Sequence, residues 1–141
     1  MRLTLLAVGK LKCEEAALFA RYQKRIKGLR VLELSTQANL RQEQNSIEKA
    51  IFKGARLIVL DERGKRLNSE NFASSLAKEG MREQIFVIGG ARGLHDSLRE
   101  RADLLLSFGA MTWPHQIVRL LLVEQLYRAQ SILLGHPYHK V

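Results

Sequence analysis

Apolar residues fall along this chain in short dense runs and longer spaced ones, and the two kinds alternate. Residues 2–8 are mostly apolar, stop at Gly9 and predict a first strand. Over Glu14–Lys27, Ala17, Leu18, Tyr22 and Ile26 recur at helical spacing before Gly28, predicting a helix. Arg30–Leu34 predicts a second short strand. Asn39–Phe52 predicts a Gln-rich helix capped by Asn39 or Ser35 and stopped at Gly54. Leu57–Leu60 and Ile85–Ile88 are apolar at every position, the mark of parallel strands covered on both faces. Between them, Asn68–Lys78 predicts a crossover helix with Phe72, Ala73 and Leu76 inward. Residues 94–102 predict a short helix, and Leu104–Leu106 a further strand.

The last long element changes the picture most. From His115 to Leu134 an almost wholly apolar helix is predicted, with Pro114 in its first turn and Gly135 just past its end. Its length invites a membrane reading. Arg119, Glu124, Gln125, Arg128 and Gln130 inside it argue against one, since charges at bilayer depth cost several kcal/mol. A helix apolar over most of its circumference needs cover on two sides, one its own sheet and the other a second subunit. An obligate homodimer is therefore expected, its interface burying upwards of about 2,000 Å². Strand–helix alternation throughout predicts one three-layer α/β domain over residues 1–141, with a mostly parallel sheet.

Charge narrows the partners. The net charge is +9, and residues 1–60 hold 12 Lys/Arg against 5 Asp/Glu, densest around Arg21, Lys24, Arg25, Lys27 and Arg30. A basic surface of this kind attracts phosphate backbones through counterion release, so Arg21, Lys24 and Arg25 are candidate RNA contacts. A solvated helix face is the plainer alternative. The single cysteine, Cys13, forms no intrachain disulfide, which points to a reducing cytoplasm.

Candidate chemistry gathers after the buried strands, where parallel sheets bind ligands. Three loops stand there: Leu60–Lys65, Gly89–Gly93, and Phe108–Trp113 running into Pro114 and His115. A dinucleotide fingerprint fails because Ile88 occupies the position of its first glycine. No phosphate loop, metal-ligand spacing or nucleophile elbow occurs, so neither a metal nor a covalent enzyme intermediate is expected.

The runs LIVLDERGK, FVIGGARGL and SFGAMTWPHQIVRLLLVEQLYRAQSILLGHPYHK carry a resemblance spanning the whole chain. They resemble the ribosomal RNA large subunit methyltransferase H family of the SPOUT superfamily. The resemblance implies an α/β knot with a C-terminal trefoil, and S-adenosylmethionine as cofactor. It also implies a homodimer that methylates N3 of a pseudouridine in 23S rRNA of assembled ribosomes. Cofactor contacts would fall on Leu60, Gly89, Gly90, Phe108, Gly109, Ala110, Met111, Thr112 and Trp113. Two residues depart from the pattern: Arg92 in the GGxxG loop, and Gly109 where serine is common.

Methyl transfer asks for an acceptor aligned in line with the methyl carbon, and positioning alone contributes several kcal/mol. Arg119, His115, Tyr138 and His139 are candidates for stabilising the acceptor or taking its proton. Each has a structural alternative: Arg119 pairs with Glu124 or a partner, and His115 caps the turn after Pro114. Tyr138 and His139 are expected on a short arm beyond Gly135, free to stack on an unpaired base. Two rival functions stay open: the same chemistry on another RNA such as tRNA, and a non-catalytic RNA-binding module.

Overall fold

The computed structural model describes residues 1–140. Its elements run β1 (Arg2–Val8), α1 (Cys13–Gln23), β2 (Leu29–Leu34), α2 (Leu40–Ala50), β3 (Arg56–Arg66), α3 (Ser69–Ala77), β4 (Glu83–Ile88), α4 (Asp96–Arg101), β5 (Leu104–Ser107) and α5 (His115–Leu134). The strands pair in the order β2-β1-β4-β3-β5, every pair parallel. Side-chain alternation divides the core between two faces. Leu3, Leu5, Ala7, Phe86 and Ile88 pack with α1, α3 and α5. Leu6, Val8, Ile85 and Val87 pack with Ile47 and Ile51 around α2 and with Leu98 of α4. Those are the three layers expected, and every predicted element is present.

Local chemistry sets the helix boundaries. Asn39 Oδ1 accepts from Gln42 N–H at 2.9 Å, and Asn68 Oδ1 accepts from Asn71 N–H at 2.8 Å, so asparagine starts both α2 and α3. Three expectations need correction. The inward face of α1 is set by Phe19, while Ala17 and Leu18 are exposed. Phe19 sits one position off the stripe read from the sequence, in a helix whose polar and apolar faces are weakly separated. Pro114 stands one residue before α5, at its N-cap, with its carbonyl accepting from Val118 N–H at 3.0 Å. β3 also runs past its apolar run to Arg66, because Lys65 and Arg66 pair with Leu106 and Ser107 after residues 61–64 bulge out.

α5 lies across one face of the sheet between α1 and α3. Leu122, Val123, Leu126 and Ala129 fill the core beneath it. Its polar residues tether it at intervals. Gln130 exchanges hydrogen bonds with the backbone of Lys27 at 2.7 and 2.9 Å, and Gln125 accepts from Ser69 Oγ at 2.8 Å. Arg119 is 1% exposed, pairs with Glu33 at 2.5 Å and donates to the Gly9 carbonyl at 3.1 Å. A buried cation is tolerated only when so engaged. Among the described residues, no helix is long and apolar enough to cross a membrane.

The tail does not leave the body as a free arm. Gly135 takes φ +71°, and its N–H and that of His136 return to the carbonyls of Ile132 and Ser131, a Schellman turn. The turn sends the chain back along α5. Tyr138 then packs edge-on against Tyr127 at 4.7 Å, beneath the Arg128 guanidinium, and donates to Glu124 at 3.0 Å. The packing logic absent from the tail's own sequence is supplied by α5.

One backbone contact is unusually close. A Cβ on Gly64 would lie 2.6 Å from the carbonyl of Leu105 and 2.8 Å from the amide of Leu106. Gly64→Ala is therefore expected to cost about 1–3 kcal/mol by overpacking. Thermal unfolding should show a midpoint lower by roughly 3–10 °C; an unchanged midpoint would mean the two segments separate without cost.

Candidate active site

The carboxyl ends of β3, β4 and β5 open into a cavity of about 360 Å³. Three chain segments wall it, and all three are the loops singled out in the sequence. Leu60, Gly89, Gly90, Phe108, Gly109, Met111 and Trp113 line it. Ala110 and Thr112 do not line it; Thr112 sits at its edge, donating to Glu62 at 2.7 Å. His115 and Val118, from the first turn of α5, close the remaining side.

Glycine has a steric reason here. A Cβ on Gly89 would meet the Gly93 carbonyl at 2.7 Å and Leu94 Cγ at 2.9 Å, because the 89–93 loop folds on itself. Gly93 N–H donates to the Gly90 carbonyl at 3.0 Å to hold that fold. Gly109 takes φ +119°, a conformation that favours glycine. Ser107 fixes this second loop, accepting from Gly109 N–H at 3.0 Å and donating to the Glu62 carbonyl at 3.0 Å. The wall is thus backbone and apolar side chain, a cradle that side chains at these glycines would fill. It suits a heterocycle with a short polar chain, and the residues fit S-adenosylmethionine.

Charges line one side only: Asp61, Glu62, Arg63 and Arg99. Asp61 is held between Arg63, at 2.8 Å from its backbone N–H, and the Arg99 guanidinium. Burial pushes its carboxyl upward, yet the hydrogen bonds from Arg63 and then Arg99 prevail and hold it at about 2. Asp61, Glu62 and Arg63 follow a buried strand, which was the available signal. Arg99 comes from α4 and had none, since only the fold brings it there.

The expected catalytic residues fall into separate places. His115 lies in the cavity wall; burial, then the charges of Arg119 and Lys12, lower its pKa, so the imidazole is neutral at pH 7. Arg119 sits below, engaged with Glu33 and the ends of β1 and β2 rather than with Glu124. Tyr138 and His139 are elsewhere. Tyr138 bonds Glu124, nine positions along α5 from His115, which is about 13 Å of helix. Burial, then hydrogen bonds with Tyr22 and Glu124, raise the Tyr138 phenol, which stays protonated. His139 bridges Arg128 and Glu70 at 3.1 and 3.2 Å.

The fold instead joins the tail to the basic end of α1. The Arg25 guanidinium lies 5.8 Å from the Tyr127 ring, which also meets Tyr22 and Tyr138. Arg21 and Lys24 are exposed on the same stretch of chain. The two groups proposed separately for RNA form one aromatic and basic cluster.

The family model described as "Predicted SPOUT methyltransferase" matches residues 1–139. The chain belongs to the SPOUT methyltransferase family. Its parallel α/β sheet is the knotted fold of that family. Among curated SPOUT relatives, it is 48% identical to the ribosomal RNA large subunit methyltransferase H of Rhizobium leguminosarum bv. trifolii, covering 100% of each chain. It is 46% identical to the protein of that name from Sinorhizobium medicae, covering 99% of each. Solved structures share the fold at low identity. A methylase family protein from Haemophilus influenzae superposes with TM-score 0.61 at 10% identity, over 99% of this chain and 70% of that one. The SpoU methyltransferase AviRb from Streptomyces viridochromogenes, solved with AdoMet, gives 0.53 at 13%, over 93% and 58%.

The depressed Asp61 carboxyl stabilises the folded chain above its unfolded value near 3.8, and that stabilisation is lost as pH falls towards 2. Asp61→Asn should therefore lower stability at pH 7 by roughly 2 kcal/mol. Urea unfolding should show this difference shrinking between about pH 4 and pH 2. A gap independent of pH would assign the effect to packing instead.

Proposed function

We infer that this chain is a methyltransferase that uses S-adenosylmethionine to methylate large-subunit ribosomal RNA, at N3 of a pseudouridine. The observation that carries the reading is the glycine-walled cavity at the ends of three buried strands, set in a chain nearly half identical to enzymes of that name. When bound, the cofactor supplies an electrophilic methyl carbon on a sulfonium. The backbone at Leu60, Gly89, Gly90 and Gly109 would hold it, with Phe108, Met111 and Trp113 excluding water. Thr112 would steady that wall from its edge through Glu62, while Ala110 is exposed and stands off it.

The protein's own part is to align the acceptor and take its proton. Transfer of that methyl to the acceptor nitrogen's lone pair would leave the carbon–sulfur electron pair on sulfur and would require the nitrogen's own proton to leave. A neutral His115 in the cavity wall is suited to receive it. Arg119 keeps the first turn of α5, and so His115, in register with β1 and β2.

A homodimer fits the exposed apolar surface. Leu133 and Leu134 at the end of α5, and Met111 and Trp113 at the cavity, are all exposed. Burial of such groups against a second copy is favourable at about 25 cal/mol per Å². Because Tyr138 and His139 lie far along α5 from their own cavity, their part in catalysis falls on the partner's. Arg21, Lys24 and Arg25 beside them would hold phosphates, which positions the RNA without reading its sequence. A ribosomal target places the enzyme in the cytoplasm.

Isothermal calorimetry with S-adenosylmethionine tests the first half of this reading. The wild-type chain should bind and gain thermal stability by mass action, and Gly89→Val should lose both. A wild-type chain that binds large ribosomal subunits but not the cofactor would instead support the RNA-binding module. Reversing Lys24 and Arg25 to Glu should weaken binding to large subunits and flatten its salt dependence, with cofactor affinity unchanged. Wild-type affinity and salt slope in that variant would make the cluster an ordinary solvated face.

A further inference from the structure

A second cavity, of about 290 Å³, adjoins the first on the other side of Gly90 and His115, which line both. Its other walls include Gly9, Thr36, Glu43, Ala91 and Arg92. Resting on the methyltransfer reading, we propose that this cavity receives the acceptor base, a neutral pyrimidine turned out of an RNA loop.

Charge balance decides the class of ligand. Arg92 might suggest a phosphate site, but its guanidinium is committed. Nη1 donates to Glu43 Oε2 and to the Gln37 carbonyl, both at 2.7 Å, and Nη2 donates to the Ala38 carbonyl at 3.1 Å. With the Glu43 carboxylate directly behind it, the cavity offers little net attraction to an anion. What it offers is an alternation of donor and acceptor capacity from the Thr36 hydroxyl, the Glu43 carboxylate and the neutral His115 ring. A uracil-type edge, with a ring N–H flanked by two carbonyls, matches such an alternation. Enzymes acting on a base extrude it and read its edges by hydrogen bonds of this kind.

Glu43 supplies the independent observation. It is 2% exposed, and its Oε2 also accepts from Gln37 N–H at 3.2 Å. Its Oε1 is buried with no donor at all. A buried acceptor left unpaired is costly, so it marks a place where a donor is missing. Pseudouridine, linked to its sugar through carbon, has a second ring N–H that uridine lacks. Glu43 is the group that distinguishes the two, with a small adjustment of Arg92 admitting the base edge. At the opposite end of the cavity, His115 stands between acceptor and cofactor. There the imidazole would take the ring nitrogen's proton as the nitrogen's lone pair accepts the methyl, the sulfur retaining the electrons of the broken bond. Arg92 also ties the 37–38 backbone to the 89–93 loop, so base and cofactor sites share one wall.

Filling the cavity tests this without removing any buried group. Ala91 is exposed on its wall, and Ala91→Leu should lower kcat/KM for methylation of large ribosomal subunits about tenfold or more. Its affinity for S-adenosylmethionine by calorimetry should stay at the wild-type value. Thr36→Val should raise KM for subunits in the same assay. Glu43→Gln should narrow the preference for subunits carrying pseudouridine over subunits carrying uridine at the methylated position. Wild-type kcat/KM in both Ala91→Leu and Thr36→Val overturns the proposal. Parallel loss of cofactor affinity in Ala91→Leu also overturns it, since the cavity would then belong to the cofactor. A wild-type chain that binds no S-adenosylmethionine removes the underlying reading instead, and that control is run first.

Discussion

The close approach of Gly64 to the backbone of Leu105 and Leu106 is the constraint on which the cavity end of the molecule depends. β3 pairs with β5 twice, once through its apolar run and again through Lys65 and Arg66, and residues 61–64 bulge between. That bulge carries Asp61, Glu62 and Arg63 to the cavity rim, while Ser107 and Thr112 bond Glu62 from the other side. The two loops therefore hold one another, and neither has its geometry alone.

α5 is the second organising element, and its unusual composition follows from its position. It must cover the sheet, lie between α1 and α3, and present apolar surface outward. Only its tethers are polar. Arg119 fixes the first turn to β1 and β2, Gln125 holds α3, and Gln130 holds the turn after α1. Glu124 and Arg128 instead face the tail and bind it.

Function divides along the same helix. At its start stand the cofactor cavity, His115 and the proposed base cavity. At its other end stand the Tyr22, Tyr127 and Tyr138 rings with Arg25 and Arg128.

Element order, the parallel sheet and the three loops of the cavity are legible in the sequence alone. Those follow from local properties: uninterrupted apolar runs mean strands covered on both faces, and glycines after them mean close backbone approach. The sequence also named Gly89, Phe108, Gly109 and His115, because these lie in the loops that end the strands. The tertiary structure alone decided which face of α1 is buried, where β3 ends and where the tail goes. Phe19 is inward only because the sheet is there. Lys65 and Arg66 are strand only because β5 pairs with them. Tyr138 is packed only because a Schellman turn aims it at Tyr127. Arg99 reaches Asp61, and Arg92 reaches Glu43, across 38 and 49 residues of chain. Contacts of that separation leave no periodic trace in the sequence, since they depend on how the layers are stacked rather than on neighbouring residues.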